Sequence, residues 1–125
     1  MLEKFRVDTQ IAVTDMSRAK DFYEKKLGLE AGNFPFEGVE MYVCGDGTSF
    51  FLYQRETASH AVNTVMSFHV ENIGDLVSKL KDKGVVFEDY DTENFKTVGS
   101  IATMGTIKAA WFKDPDENIL ALFQM

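Results

Sequence analysis

The 125-residue chain carries one pattern twice, and this repetition limits its possible folds more than any other feature. Residues 12–29, AVTDMSRAKDFYEKKLGL, are echoed by residues 69–86, HVENIGDLVSKLKDKGVV. Each copy leaves a strand-like segment, passes a polar residue suited to capping (Thr14 or Asp15; Asn72) and enters an amphipathic stretch. The apolar stripe is Met16, Ala19, Phe22, Tyr23 and Leu27 in the first copy, and Ile73, Leu76, Val77 and Leu80 in the second. Both stretches stop at a glycine, Gly28 or Gly84, a residue free to take the positive φ that ends a helix. Val13 and Val70 are 57 positions apart and the glycines 56, so the halves superpose with a one-residue slip. The register points to an internal duplication, with helices near 16–27 and 73–83.

The strands complete the unit. Residues 7–13, VDTQIAV, put Val7, Thr9, Ile11 and Val13 on one face and Asp8, Gln10 and Ala12 on the other. Leu29 to Phe34 reads as a strand, Val39 to Cys44 as a second, and Asp46-Gly47 as the turn before a third, Ser49 to Gln54. In the second half, Thr64 to Val70 and Val85 to Glu88 are strand-like. A hairpin closes the chain: Ala109 to Phe112 and Ile119 to Phe123 flank Asp114-Pro115-Asp116-Glu117-Asn118. Proline presets φ for the second turn position, and aspartate and asparagine bond their own backbone, so these five residues reverse the chain. The long segment Asp89 to Gly105 has no clear period and reads as a flap over the sheet. The expected architecture is α+β, with one βαβββ module at approximately 6–55 and another at 63–125, joined in a single domain over 1–125.

Charge and composition then exclude partners. Thirteen basic and twenty acidic residues leave a net charge of −7, which opposes binding to a phosphate backbone or an anionic membrane surface. The same field favours a cationic ligand. No apolar stretch approaches the roughly 18 residues of a membrane span, and the first residues lack the apolar region of a signal peptide, so a cytoplasmic location is expected. Cys44 is the only cysteine and sits in an apolar segment, which excludes an intrachain disulfide and a multi-cysteine zinc site. Eleven Phe, four Tyr and one Trp suit a packed interior or an aromatic-lined pocket. Gly45-Asp46-Gly47 is too short for a phosphate loop, and no Ser/His/Asp or Cys/His set is locatable.

The two echoed segments and the ending WFKDPDENILAL, of the form aromatic-x-DPDGN-apolar, resemble the vicinal oxygen chelate superfamily. That family contains glyoxalase I, extradiol dioxygenases, and the fosfomycin- and bleomycin-resistance proteins. The resemblance covers nearly the whole chain and implies two βαβββ modules whose curved sheets form a cup-shaped sheet with helices outside. Its metal-dependent members hold a divalent ion with His, Gln or Glu at equivalent places in both halves. In this sequence those places fall on Asp8, Val65 and Ala121, and Thr48 to Tyr53 offers neither His nor Glu. One carboxylate beside valine and alanine is not a metal site, so neither a metal nor another cofactor is expected.

By strand alternation the lining of the expected cup includes Asp8, Gln10, Val65, Ser67, His69, Ile119, Ala121 and Phe123, together with Trp111, Tyr42 and Tyr53. This reads as a metal-free site for a small, partly aromatic or cationic metabolite or drug, as in the bleomycin-resistance branch. The alternative is an enzyme of the superfamily, a lyase, isomerase or dioxygenase-like protein, with a rearranged metal site or with Asp8 or His69 as a metal-free acid/base. Family members of this length imply a homodimer, since short strands in open sheets leave edges to cover.

Overall fold

The computed structural model describes residues 1–125, which divide into two compact units, Met1–Ser59 and His60–Met125. Both are α+β, each a sheet carrying one helix, as the repeated pattern requires.

In the first unit, β1 (Thr9–Val13), β2 (Val39–Val43) and β3 (Ser49–Gln54) form a sheet of order β1-β3-β2. The last strand lies parallel to the first, and β2 runs antiparallel to β3. Helix α1 (Met16–Lys20) starts at Asp15, whose carboxylate accepts from the Arg18 N–H at 3.1 Å. From Asp21 to Lys26 it widens to i→i+5 bonding, with the Leu27 N–H donating to the Phe22 carbonyl at 3.0 Å. Ala19, Phe22 and Tyr23 are buried from the helix, against Ile11, Val13, Phe50 and Leu52 from the sheet. Full burial of each large apolar side chain contributes about 1.5–3 kcal/mol, so this layer is a large part of what holds the unit together.

The expected strand at Leu29–Phe34 is not formed. It shrinks to the Ala31–Tyr42 bridge and a bond from the Gly32 N–H to the Met41 carbonyl at 2.8 Å. Gly32 lies so close to β2 that a Cβ there would meet the Met41 methyl at 2.8 Å, and Pro35 has no N–H with which to extend a ladder.

The second unit has β4 (Thr64–His69), α2 (Ile73–Asp82), β5 (Thr97–Val98), β6 (Ile101–Met104), β7 (Ile107–Lys113) and β8 (Ile119–Gln124). Sheet order is β4-β8-β7-β6-β5, again with the first strand parallel to the last. Ile73, Val77 and Leu80 of α2 are buried, as are Ala110, Phe112, Leu120 and Leu122 on one face of the sheet. Two expectations are corrected. Val85–Glu88 is not a strand but touches β7 only through the Phe87–Phe112 bridge and a bond from the Glu88 N–H to the Trp111 carbonyl at 2.8 Å. The segment Asp89–Gly105 is not a structureless flap: it holds β5 and β6, reversed at Gly99 and Ser100, whose φ values of 58° and 68° form a tight hairpin turn.

The duplication extends to a detail invisible in the primary pattern. Gln54, ending β3, accepts the Met16 N–H at 3.1 Å, and Gln124, ending β8, accepts the Ile73 N–H at 2.8 Å. In both units the last strand thus satisfies the first N–H of the helix. Asn72, the expected cap of α2, takes a left-handed φ of 51° and makes no cap bond with its side chain.

The terminal turn is built on Asp114. Its Oδ1 accepts from the N–H groups of Asp116 and Asn118, each at 2.9 Å, and its Oδ2 from Asn118 Nδ2 at 2.8 Å. Glu117 in the same turn sits at φ 66° with an exposed side chain. A left-handed non-glycine residue costs about 1–2 kcal/mol, partly offset by glycine's greater unfolded-state entropy. Glu117→Gly is therefore expected to stabilise the protein by about 0.5–1 kcal/mol, read as a higher urea midpoint; a lower midpoint would contradict the account of the turn.

Candidate functional site

Each sheet has one face against its helix and one face turned away from it, and cross-strand register determines which side chains reach the second. In the second unit that face carries the row Ser67–Ala121–Trp111 across β4, β8 and β7, and beside it the row His69–Phe123–Ala109–Ala102. The rings of His69 and Phe123 are 5.2 Å apart. Six of the expected lining residues, Ser67, His69, Trp111, Ile119, Ala121 and Phe123, therefore share one surface. Val65 falls at the register shift between Thr64 and Met66, where β4 bulges.

Trp111 does not stand alone. Tyr90 and Phe95, from the segment before β5, meet its ring edge-on at 5.8 and 5.3 Å, and each other at 5.3 Å. Such T-shaped contacts contribute about 0.5–1.5 kcal/mol per pair beyond burial, enough to hold the half-buried indole in one orientation. Tyr90 and Phe95 were not among the expected site residues. Their only signal in the sequence was two aromatics in an otherwise polar stretch, EDYDTENFK.

In the first unit the corresponding face carries Gln10 and Ala12 of β1, Ser49, Phe51 and Tyr53 of β3, and Val39, Met41 and Val43 of β2. Gln10 is exposed and Tyr53 half-buried. Phe34, from the segment before β2, packs edge-on against Phe51 at 5.1 Å. Tyr42 is a correction: it pairs with Phe50 on the helix side and is fully buried, stacked between Tyr23 at 6.1 Å and Phe50 at 5.2 Å. Its phenol donates to Glu24 Oε2 at 2.8 Å. Burial first, and then this carboxylate, push the phenol far above its ordinary range, so it stays a proton donor of the core rather than a group facing a ligand.

Asp8 precedes β1 and is not a free anion. The Ser49 hydroxyl donates to its Oδ1, and Arg6 Nη2 lies 3.4 Å from the same oxygen. Arg6 Nη2 also donates to the Gly47 carbonyl and to Ser49 Oγ, each at 2.7 Å. The carboxylate is thus oriented by the hydroxyl and has a cation beside it. Cys44 is half-buried, and that burial raises its thiol pKa, which disfavours the thiolate a nucleophile would need.

The donor set does not fit a divalent ion. The chain gathers no group of three or more His, Cys, Asp and Glu side chains suited to holding one. Val65 and Ala121 supply no ligand atom from their side chains, and Asp8 is committed to Ser49 and Arg6.

A family model described as Glyoxalase/Bleomycin resistance protein/Dioxygenase superfamily matches residues 7–122. No curated protein matches the chain in sequence. Among solved structures, it resembles a glyoxalase/bleomycin resistance protein from Catenulispora acidiphila at 22% identity and TM-score 0.67, covering 97% of this chain and 98% of that one. It also resembles a genomically encoded fosfomycin resistance protein from Listeria monocytogenes, at 12% identity and TM-score 0.71, covering 97% and 93%. An antibiotic binding protein from Streptomyces sp. CB03234 is similar at 20% identity and TM-score 0.69, covering 96% of each chain. These likenesses establish the fold.

Proposed function

The chain belongs to the Glyoxalase/Bleomycin resistance protein/Dioxygenase superfamily, and from that premise we propose that it binds a small, partly aromatic molecule, neutral or cationic, without a metal ion. The observation that carries this reading is the second unit's helix-distal face, where the braced indole of Trp111 shares one surface with Phe123, Ser67 and His69. Aromatic faces with a few polar groups among them are what a small-molecule site needs: the rings contribute burial and the polar groups orientation. The first unit's helix-distal face has a mixed polar and aromatic character of its own, with Gln10 and Tyr53 on it. In the first unit Asp8 is an oriented hydrogen-bond acceptor with a cation beside it, so attraction of a cationic ligand to the second unit's face rests on the aromatic rings and on the net charge of −7. Fold relatives that include an antibiotic binding protein and a fosfomycin resistance protein support a small-molecule ligand.

Two copies pairing is part of the same proposal, because each sheet ends in edge strands, β1 and β2 in one and β4 and β5 in the other, and β2 is only partly covered, by Ala31 and Gly32. The test uses the full chain stripped of metal with a chelator. Calorimetry against a panel of aromatic amines, their neutral analogues and aliphatic controls should show saturable binding of the aromatics, unchanged when zinc, nickel, manganese or iron is restored. Sedimentation equilibrium of the same preparation should give twice the 14.1 kDa chain mass. Binding or turnover that appears only on adding a metal would refute the metal-free reading, and a monomer mass would refute the pairing. No helix is long and apolar enough to cross a membrane.

A further inference from the structure

We propose that the second unit carries another binding site, a depression of about 380 Å³ between α2 and the β5–β6 hairpin, which takes a small zwitterion of amino-acid type. It shares only Tyr90 with the aromatic cluster around Trp111 and does not depend on the function proposed above. Its charged lining is Lys81 from α2, Lys96, Asp89 and Asp91. Asp91 and Lys96 are directly opposite one another in an antiparallel bridge, with side chains on the same side of the backbone. Yet neither lysine forms an ion pair with any carboxylate of the chain. Opposite charges therefore border one depression without a direct ion pair joining them. A ligand that carries both an ammonium and a carboxylate complements both signs at once, whereas a singly charged ligand leaves one sign unmatched.

The frame around these charges is held by its own hydrogen bonds. Thr97 Oγ1 accepts the Tyr90 N–H at 2.9 Å, and the Thr97 N–H donates to the Tyr90 carbonyl at 2.8 Å. Thr92 and Phe95 close the turn that sets Asp91 against Lys96, with the Thr92 N–H donating to the Phe95 carbonyl at 2.8 Å. Asp89 has only a long contact from the Thr97 hydroxyl, at 3.4 Å. Ser100, 3% exposed, lines the depression and forms no side-chain hydrogen bond within the chain, so its hydroxyl is available to a bound carboxylate or ammonium.

The test is titration of the uniformly 15N-labelled full chain, read by amide shifts, with glycine, 4-aminobutyrate and 6-aminohexanoate. Butyrate and butylamine serve as single-charge controls. At least one zwitterion is expected to give saturable shifts at Thr97, Gly99 and Ser100, with affinity about ten-fold or more above either control. Lys96→Gln and Asp91→Asn are each expected to abolish that advantage. Both side chains are exposed, and unshifted amides elsewhere verify that the variants remain folded. The proposal is overturned if no zwitterion saturates, if a control binds equally well, or if either variant keeps the full preference. Because none of the probes is aromatic, failure here leaves the reading of the Trp111 face unaffected, and failure there leaves this one standing.

Discussion

Trp111→Ala is expected to weaken every aromatic ligand of the second unit's helix-distal face by about ten- to a hundred-fold, because the lost ring contributes roughly 1.5–3 kcal/mol of burial and stacking. The effect should be large because the indole is pre-positioned: Tyr90 and Phe95 hold it edge-on at 5.8 and 5.3 Å, so little ordering entropy remains to be lost when a ligand arrives. Trp111→Phe should recover part of the affinity, and Phe95→Ala should weaken binding less than Trp111→Ala by loosening the indole without removing it. Trp111 is the only tryptophan in the chain, so a change in tryptophan emission on adding ligand reports on the surroundings of this residue. Affinity unchanged in Trp111→Ala, or binding without any change in tryptophan emission, would place the ligand elsewhere.

Asp114→Ala should be strongly destabilising, although the residue lies in a turn. Asp114 is 4% exposed, and three donors converge on its carboxylate: the backbone N–H groups of Asp116 and Asn118 and the Asn118 amide. Removing the acceptor strands buried donors, which cost about 1–3 kcal/mol each when unsatisfied, so a loss of about 3–5 kcal/mol is expected after partial rescue by water. For a chain of this length that lowers the midpoint of thermal unfolding by roughly 10–20 °C. Asp114→Asn should not restore stability fully, because its amide would set a donor against the Asn118 Nδ2 donor. Scanning calorimetry of the two variants measures this. An alanine variant within about 1 kcal/mol of the parent would show that the turn is held by its backbone bonds alone.

The consequence is larger than one turn. Asp114 fixes where β7 ends and β8 begins, and thereby the register Lys113↔Ile119 from which Trp111↔Ala121 follows two residues inward. A slip by one residue would turn Trp111 towards the helix and Phe112 away from it. The turn and the candidate site are thus one mechanical unit, linked by strand parity.

Much of this was legible in the primary structure because it is local. The helical stripes of Ala19, Phe22 and Tyr23 and of Ile73, Val77 and Leu80 are buried where their spacing puts them. Gly28 and Gly84 take φ values of 75° and 90° just past the helices. The five residues from Asp114 to Asn118 reverse the chain as their turn chemistry requires. Period, cap and turn are properties of neighbours in sequence, and the duplication states them twice, so the α+β class and the family were readable without coordinates.

What tertiary structure alone decided is pairing. Leu29–Phe34 and Val85–Glu88 have strand-like composition, but each keeps a single bridge to its neighbour, because a ladder needs a partner edge in register and not only β-forming side chains. Thr97–Val98 and Ile101–Met104 show no period, yet they become strands because β7 offers an edge on which β6 forms. Tyr42 and Tyr53 look alike in sequence. The Tyr42↔Phe50 register sends one phenol into the core onto Glu24, while Tyr53, three residues from Phe50, lies on the opposite face. Asp8 is the most prominent carboxylate of the first strand in sequence, but Arg6 and Ser49 engage its charge in the fold, and Ser49 lies 41 residues away. Spacing along the chain sets which residues share a face of one element; contacts between distant segments set which of those faces, and which of those charges, remain available to a ligand.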